Sequence, residues 1–372
     1  MIARAEKLSD KVRARLRKIT GFNYPLMIIP YLGYGSADKL MFGGRVLEDE
    51  GFTPGGSADH IWRNLVNMYR RFESDEVPGA RVRARFQGTD TEATSDEEGY
   101  FNFTIQPTRR LEANRWQEVE LELLEPTVPE APPVRATARV LAPSAEAKFG
   151  IISDIDDTVI SSHVGNKLKM LLTVLLSNEH TRKPFEGVAG FYQALQLGAD
   201  AREDNPIFYV SNSAWNLYPV LLEFLKLQKI PLGPLLLRDF GDHLLFSKEP
   251  ESHKKANIKM ILESFPHLPF VLIGDSGERD PEIYRDVVKD YPTRIRAVYI
   301  RSVNKQNDRL AAIDKLIEEI SYTGTQLVLS PDSEFAAAHA AAEGLISTAL
   351  LTTVRSEKQK DQNAPTQHAL TR

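Results

Sequence analysis

The chain has 372 residues, 42% hydrophobic and 26% charged, with 22 glycines and 22 prolines, which leaves room for two domains with real cores and excludes collagen-like or disordered chains. It contains no cysteine, which removes disulfides, thiolate zinc sites and cysteine nucleophiles. A formal net charge of -5 gives no electrostatic case for a nucleic-acid partner.

Residues 1–22 open the chain with Leu8, Val12, Leu16 and Ile19 at helical spacing, and the basic residues Arg4, Lys7, Lys11, Arg13, Arg15, Arg17 and Lys18 lie around them. This predicts a basic amphipathic helix whose apolar stripe packs on the following domain or touches a membrane surface. The opening segment lacks the uninterrupted apolar stretch of a signal peptide, and no later run is long enough for a transmembrane segment. The longest candidate, Leu168 to Leu176, is broken by Lys169 and Thr173. The expectation is a cytoplasmic protein, with a peripheral membrane contact left open.

From residue 23 to residue 143 the pattern turns to short strands. Arg81 to Phe86, Gly99 to Ile105 and Val119 to Leu123 alternate polar and apolar residues between turn formers, as an antiparallel β-sandwich requires. Arg81, Arg83 and Arg85 fall on one strand face and read as a solvated surface. Pro126, Pro129, Pro132 and Pro133 crowd a segment that cannot be a central strand, so it reads as a loop before a last strand, Val134 to Leu141. Gly33-Tyr34-Gly35-Ser36-Ala37-Asp38 lacks the third glycine of a dinucleotide loop and reads as an ordinary loop. The stretch from Pro78 to Phe103, with its Pro-Gly-Ala start and Asp-Glu-Glu-Gly-Tyr-Phe turn, resembles the transthyretin-like or carboxypeptidase-regulatory sandwich.

Residues 148–354 read differently. The short apolar runs Phe149–Ser153, Ile207–Val210, Phe270–Ile273, Ala297–Ile300 and Leu327–Leu329 are separated by helical patterns at Leu217–Lys229, Lys254–Ser264 and Pro281–Asp290. Apolar strands alternating with helices predict an α/β domain with a Rossmann-like parallel sheet covered on both faces. Residues 355–372 are polar and read as a disordered tail.

Chemistry concentrates at the strand ends. Ile151-Ile152-Ser153-Asp154-Ile155-Asp156-Asp157-Thr158 sets three acids within four positions at a carboxyl edge, where open α/β sheets bind ligands. Carboxylates crowded in this way repel unless a cation neutralises them, which points to a hard metal such as Mg²⁺. A second acid cluster follows Phe270 to Ile273, in Gly274-Asp275-Ser276-Gly277-Glu278-Arg279-Asp280. Ser211-Asn212-Ser213, after another apolar run, offers hydroxyl, amide and N–H donors suited to phosphate. Lys254 and Lys255 stand at a helix start, where the helix dipole disfavours cations. The eight histidines form no ligand pair, which argues against zinc.

Asp154-x-Asp156-x-Thr158, Ser211, Lys254, Gly274-Asp275 and Asp280, in this order, are similar to the four motifs of the haloacid dehalogenase superfamily. Within it, the strings DIDDTVISS, FYVSNSAWNLYP, HKKANI and FVLIGDSGERDPEIY resemble the actin-patch-associated, lipin-related phosphatidate phosphatase family. The resemblance implies that Asp154 is a nucleophile forming an aspartyl phosphate and that Asp156 is the general acid and base. It also implies that Ser211, Asn212 and Thr158 bind the substrate phosphate and that Lys254 steadies the charges. The implied Mg²⁺ ligands are Asp154, the Asp156 carbonyl and Asp275, with Asp280 farther out. Lys255 competes for the Lys254 role; the spacing to Ile258 and the preceding His253 favour Lys254.

The interval from Val159 to Pro206 is too short for a sizeable cap domain, so a minimal cap and an open site for a bulky substrate are expected. The apolar run Leu168 to Leu176 within it reads as a core helix or as a membrane-facing ridge. The implied reaction is Mg²⁺-dependent hydrolysis of a phosphorylated lipid, phosphatidate giving diacylglycerol. A phosphatase of a soluble metabolite or phosphoprotein, and a noncatalytic phosphatidate-binding module, are the alternatives.

Overall fold

The structure, a computed structural model, describes residues 25–49, 76–111, 116–127, 132–155, 187–238, 250–303 and 306–363. The amphipathic segment 1–22, the apolar run Leu168 to Leu176 and the last nine residues lie outside them. The chain divides into two compact units, Met1–Pro143 and Ser144–Arg372.

The first unit carries β1 (Leu26–Pro30), β2 (Gly33–Gly35), β3 (Leu40–Glu48), β4 (Arg81–Phe86), β5 (Thr89–Thr94), β6 (Tyr100–Ile105), β7 (Trp116–Glu125) and β8 (Arg135–Leu141). Along β4, β6 and β7 every second residue is buried, the period of a strand with one face on a core. Those residues, among them Val82, Phe101, Phe103 and Leu121, meet Val140 of β8 in one apolar cluster. The expected antiparallel sandwich needs correction in one respect. The eight strands form one hydrogen-bonded network in the order β1-β3-β2-β8-β7-β4-β5, with β6 on β3, and the β2–β8 pair is parallel. The cause is β2: Gly33–Gly35, expected as a loop, pairs with β3 on one side and β8 on the other and so joins what would be two sheets.

The second unit is α/β. Its strands β9 (Gly150–Asp154), β10 (Ile207–Ala214), β11 (Leu235–Arg238), β12 (Phe270–Asp275), β13 (Ile295–Arg301) and β14 (Gln326–Ser330) are all parallel, in the order β11-β10-β9-β12-β13-β14. Helices follow as α1 (Val188–Leu197), α2 (Tyr218–Leu227), α3 (Pro250–Ser264), α4 (Asp280–Asp290), α5 (Asn307–Ile320), α6 (Ser333–Ala342) and α7 (Leu351–Asn363). One group, α1 with α6 and α7, packs together; α3, α4 and α5 form another. Ring contacts show the two sheet faces: Phe191 of α1 meets Tyr299 at 5.6 Å between centroids, while Phe208 meets Phe265, just past α3, at 5.4 Å. Both faces are covered, which is why the strands read as continuous apolar runs.

Residues 355–363 are not the disordered tail that their polar composition predicts. Helix α7 runs through Asn363 and packs on α1, with Val354 fully buried and Lys358 Nζ donating to Asp332 Oδ2 at 2.8 Å. Among the described side chains of this helix Val354 is the buried one, so its composition is polar.

Candidate active site

In this sheet the first strand, β9, lies at the centre, and the chain winds away from it in opposite directions through β10 and through β12. Such a switch point opens a crevice at the carboxyl ends of the two flanking strands. Asp154 ends β9 and Asp275 ends β12, which are hydrogen-bonded neighbours with Ser153 opposite Ile273. Asp280 begins α4, where Pro281 suits the first turn and the helix dipole favours a carboxylate. Oxygen atoms of Asp154, Asp275 and Asp280 lie within 4.8 Å of one another.

Lys254 reaches this cluster from the second turn of α3. Its Nζ lies 2.9 Å from Asp154 Oδ1, 2.6 Å from Asp280 Oδ1 and 3.2 Å from Glu278 Oε2. Burial alone would lower the pKa of its ammonium, but the carboxylates of Asp154 and Asp280 outweigh burial and hold it well above the ordinary value. Burial pushes the Asp280 carboxyl up, against the pull of Lys254 and of the Asp275 N–H, which donates to Asp280 Oδ2 at 3.1 Å. Lys255 points elsewhere, to Asp290 Oδ2 at 2.8 Å.

The loop between the two acids is tightly specified. Asp275 Oδ1 accepts N–H bonds from Gly277 at 2.7 Å and Glu278 at 3.2 Å. Gly274 must be glycine, because a Cβ there would lie 2.7 Å from the Asp280 Cβ. Behind Asp154, Ser153 Oγ donates to the Asp154 carbonyl at 2.8 Å and contacts Tyr192 Oη at 2.6 Å. Burial pushes the Tyr192 phenol up to about 12, so it remains protonated at neutral pH.

Ser211 lies one residue past Val210, which pairs with Asp154, and is fully buried with its Oγ accepting the Ser213 N–H at 2.9 Å. Asn212, next along β10, is half-buried at the same edge. Asp156 and Thr158 lie outside the described residues. Sequence reasoning missed Glu278 as a Lys254 partner, although it sits inside the second acid cluster. It also missed Arg301, which ends β13 and lines the same cleft as Asp154, Asp275, Tyr192 and Tyr299.

Chemically, the donor set is all oxygen and hard. Three carboxylates, those of Asp154, Glu278 and Asp280, meet one ammonium, and a fourth, Asp275, lies beside Asp154 and Asp280, an excess of negative charge that suits a hard cation. The three aspartates could hold a metal, and nothing in the set favours a soft one.

Residues 149–302 match the family model described as Phosphatidate phosphatase APP1, catalytic domain. This stretch is APP1-like. The chain is 31% identical over 177 residues to Phosphatidate phosphatase APP1 of Saccharomyces cerevisiae, covering 46% of this chain and 29% of the yeast protein. An uncharacterized protein of Schizosaccharomyces pombe, C29B5.04c, is 34% identical over 159 residues, covering 42% of this chain and 25% of its own. The chain thus spans less than a third of either relative. Among solved structures, the PilB minor pilin of Streptococcus sanguinis aligns over 77% of this chain and 88% of its own at 10% identity, with a TM-score of 0.27, a level that carries no argument. All the described site residues fall within the APP1-like stretch, and no helix among the described residues is long and apolar enough to cross a membrane.

Proposed function

We propose that the second unit is a haloacid dehalogenase-type phosphomonoester hydrolase that uses Mg²⁺ and an aspartyl-phosphate intermediate, with phosphatidate as substrate and diacylglycerol as product. The observation that carries this reading is the Asp154–Lys254–Asp280 contact beside Asp275 at the switch point, within the stretch that matches an APP1 catalytic domain. The lipid substrate is the one for which the yeast relative is named.

In this reading an Asp154 carboxylate oxygen attacks phosphorus, forming the acyl phosphate as the bond to the lipid oxygen breaks. Asp156 gives its proton to the departing alkoxide, then takes one from the water that attacks phosphorus and frees the Asp154 carboxylate. Lys254 fixes the attacking carboxylate and offsets the charge gathering on the phosphoryl oxygens. Ser211, Asn212 and Thr158 donate to those oxygens. Asp154 and Asp275, with the Asp156 carbonyl, would hold the Mg²⁺, and Asp280 would act through Lys254 and the Asp275 amide. When bound, Mg²⁺ supplies charge neutralisation and in-line orientation of the phosphoryl group.

The substrate's bulk fits a minimal cap, and its location at a bilayer fits a peripherally associated cytoplasmic protein.

The test is phosphate release from phosphatidate in detergent micelles, with and without Mg²⁺, for wild type and Asp154→Asn. Release should require Mg²⁺ and fall at least about 10³-fold in the variant, the scale of losing a nucleophile. Turnover of a soluble phosphomonoester but not phosphatidate would discard the lipid assignment. Binding of phosphatidate vesicles without any turnover would make the unit a noncatalytic module.

A further inference from the structure

One side chain outside the acid cluster grips the loop that carries it. Arg309, on α5, donates from Nε to the Ser276 carbonyl at 2.9 Å and from Nη2 to the Glu278 carbonyl at 2.6 Å. The same guanidinium forms a two-point ion pair with Glu282 in the first turn of α4: Nη2 meets Oε2 at 3.1 Å, and Nη1 meets Oε1. Arg309 and Glu282 are only 17% and 22% exposed, so the pair is largely shielded from water.

Besides the Ser276 N–H bond to the Arg301 carbonyl at 2.9 Å and the Val303 N–H bond to Ser276 Oγ at 3.0 Å, the loop's hydrogen bonds run in two directions. Its amides at Gly277 and Glu278 point inward to Asp275 Oδ1, while its carbonyls at Ser276 and Glu278 point outward to Arg309. A guanidinium suits this task because its donors form a planar fork, and a lysine ammonium lacks that fixed spread. Asp275 and Asp280 flank the loop, and Glu278 within it bonds Lys254. Moving the loop therefore moves two of the three clustered aspartates and the Glu278 partner of Lys254.

We infer that Arg309 is a positioning residue for the metal-holding acids, clamping the 276–282 segment so that Asp275 and Asp280 keep their mutual spacing. The inference rests on the metal reading of this site and goes beyond it to a residue outside the family-matched stretch.

The test is a titration of the whole chain with Mn²⁺ alone, followed by the paramagnetic resonance signal of the free ion, for wild type, Arg309→Met, Arg309→Lys and Glu282→Gln. The Mn²⁺ dissociation constant should rise roughly 10–100-fold in Arg309→Met, the usual scale for losing an outer-shell partner. Arg309→Lys should fall between wild type and Arg309→Met, and Glu282→Gln, which leaves both carbonyl bonds in place, should shift least. If Arg309→Met does not fold, the Lys and Gln variants carry the same ranking. A lowered melting temperature with unchanged Mn²⁺ affinity would make Arg309 merely structural and overturn the inference. Wild type that binds no Mn²⁺ would overturn the metal reading and this inference with it, a result distinct from equal binding by all four proteins.

Discussion

Two charged clusters, one in each unit, sit in opposite surroundings. On the first unit, Arg81, Arg83 and Arg85 of β4 face Glu125, Glu122 and Asp90 at 2.8, 2.7 and 2.7 Å across the strands. These pairs have ideal distances and lie in solvent, with even the most shielded, Arg83 and Glu122, 27% and 23% exposed. On the second, Lys254, Asp154 and Asp280 make contacts of the same length with side chains 1%, 2% and 0% exposed. Distance is equal in both places; the surrounding medium is not. Water screens the first set, so it decorates a strand face, whereas burial makes the second set costly to keep and costly to break. A fold with a large apolar core has no need of a buried ammonium among acids. The costly cluster therefore marks the site.

The sharpest way to break this contrast is Lys254→Met. The substitution keeps the stem and removes the charge, leaving Asp154 and Asp280 buried against each other. Removing one partner of a buried ion pair costs about 3–5 kcal/mol, and urea unfolding of the second unit should show a loss of that order. A loss under about 1 kcal/mol would place Lys254 with the surface pairs and undo the comparison.

Between the extremes stands Asp332, the half-buried N-cap of α6. Its carboxylate accepts the Phe335 N–H at 2.9 Å and the Lys358 ammonium at 2.8 Å. Burial would raise its pKa, but Lys358 and the Phe335 N–H outweigh burial and hold the carboxyl below its ordinary value. Its folded pKa is therefore depressed, and its contribution is present above the unfolded value of about 3.9 and lost as pH falls through the folded one. Asp332→Ala should cost about 0.5–2 kcal/mol at neutral pH, the range for losing an N-cap. Thermal unfolding as a function of pH should show the gap to wild type closing below about pH 4. A gap that persists in acid would assign the effect to packing and not to charge.

The gradation explains what the sequence could tell. Asp154 and Asp275 were legible because each ends a run of buried apolar residues, a pattern that only a covered parallel strand produces and whose end must face the crevice. Lys254 could be chosen over Lys255 by its spacing to Ile258, and the structure sends the first to the acids and the second to Asp290. Arg309 was not legible: its partners Ser276, Glu278 and Glu282 are about 30 residues away, and nothing local distinguishes it from any helix-surface arginine. Helix α7 was misread for a related reason. Its polar composition imitates a tail, and its order comes from tertiary contacts at Val354 and Lys358 that no local pattern announces. In the first unit, β4, β6 and β7 showed their period, but β2 is three residues long and exists as a strand only because β3 and β8 flank it.

The smallest expected effect tests the other end of the comparison. Arg83 sits at the centre of the surface ladder, 2.7 Å from Glu122 Oε2 and 3.7 Å from Asp90 Oδ2. If solvent exposure decides what such a pair contributes, Arg83→Gln should leave the melting temperature within experimental scatter at physiological salt, because its carboxylate neighbours regain full hydration when the arginine leaves. It should also leave phosphate release untouched. A clear destabilisation that high salt removes would mean that the ladder acts as a network, its members Arg81, Arg83, Arg85 and Arg135 supporting one another's partners. The contrast between the units would then be one of degree, set by how many charges share each carboxylate, and not by burial alone.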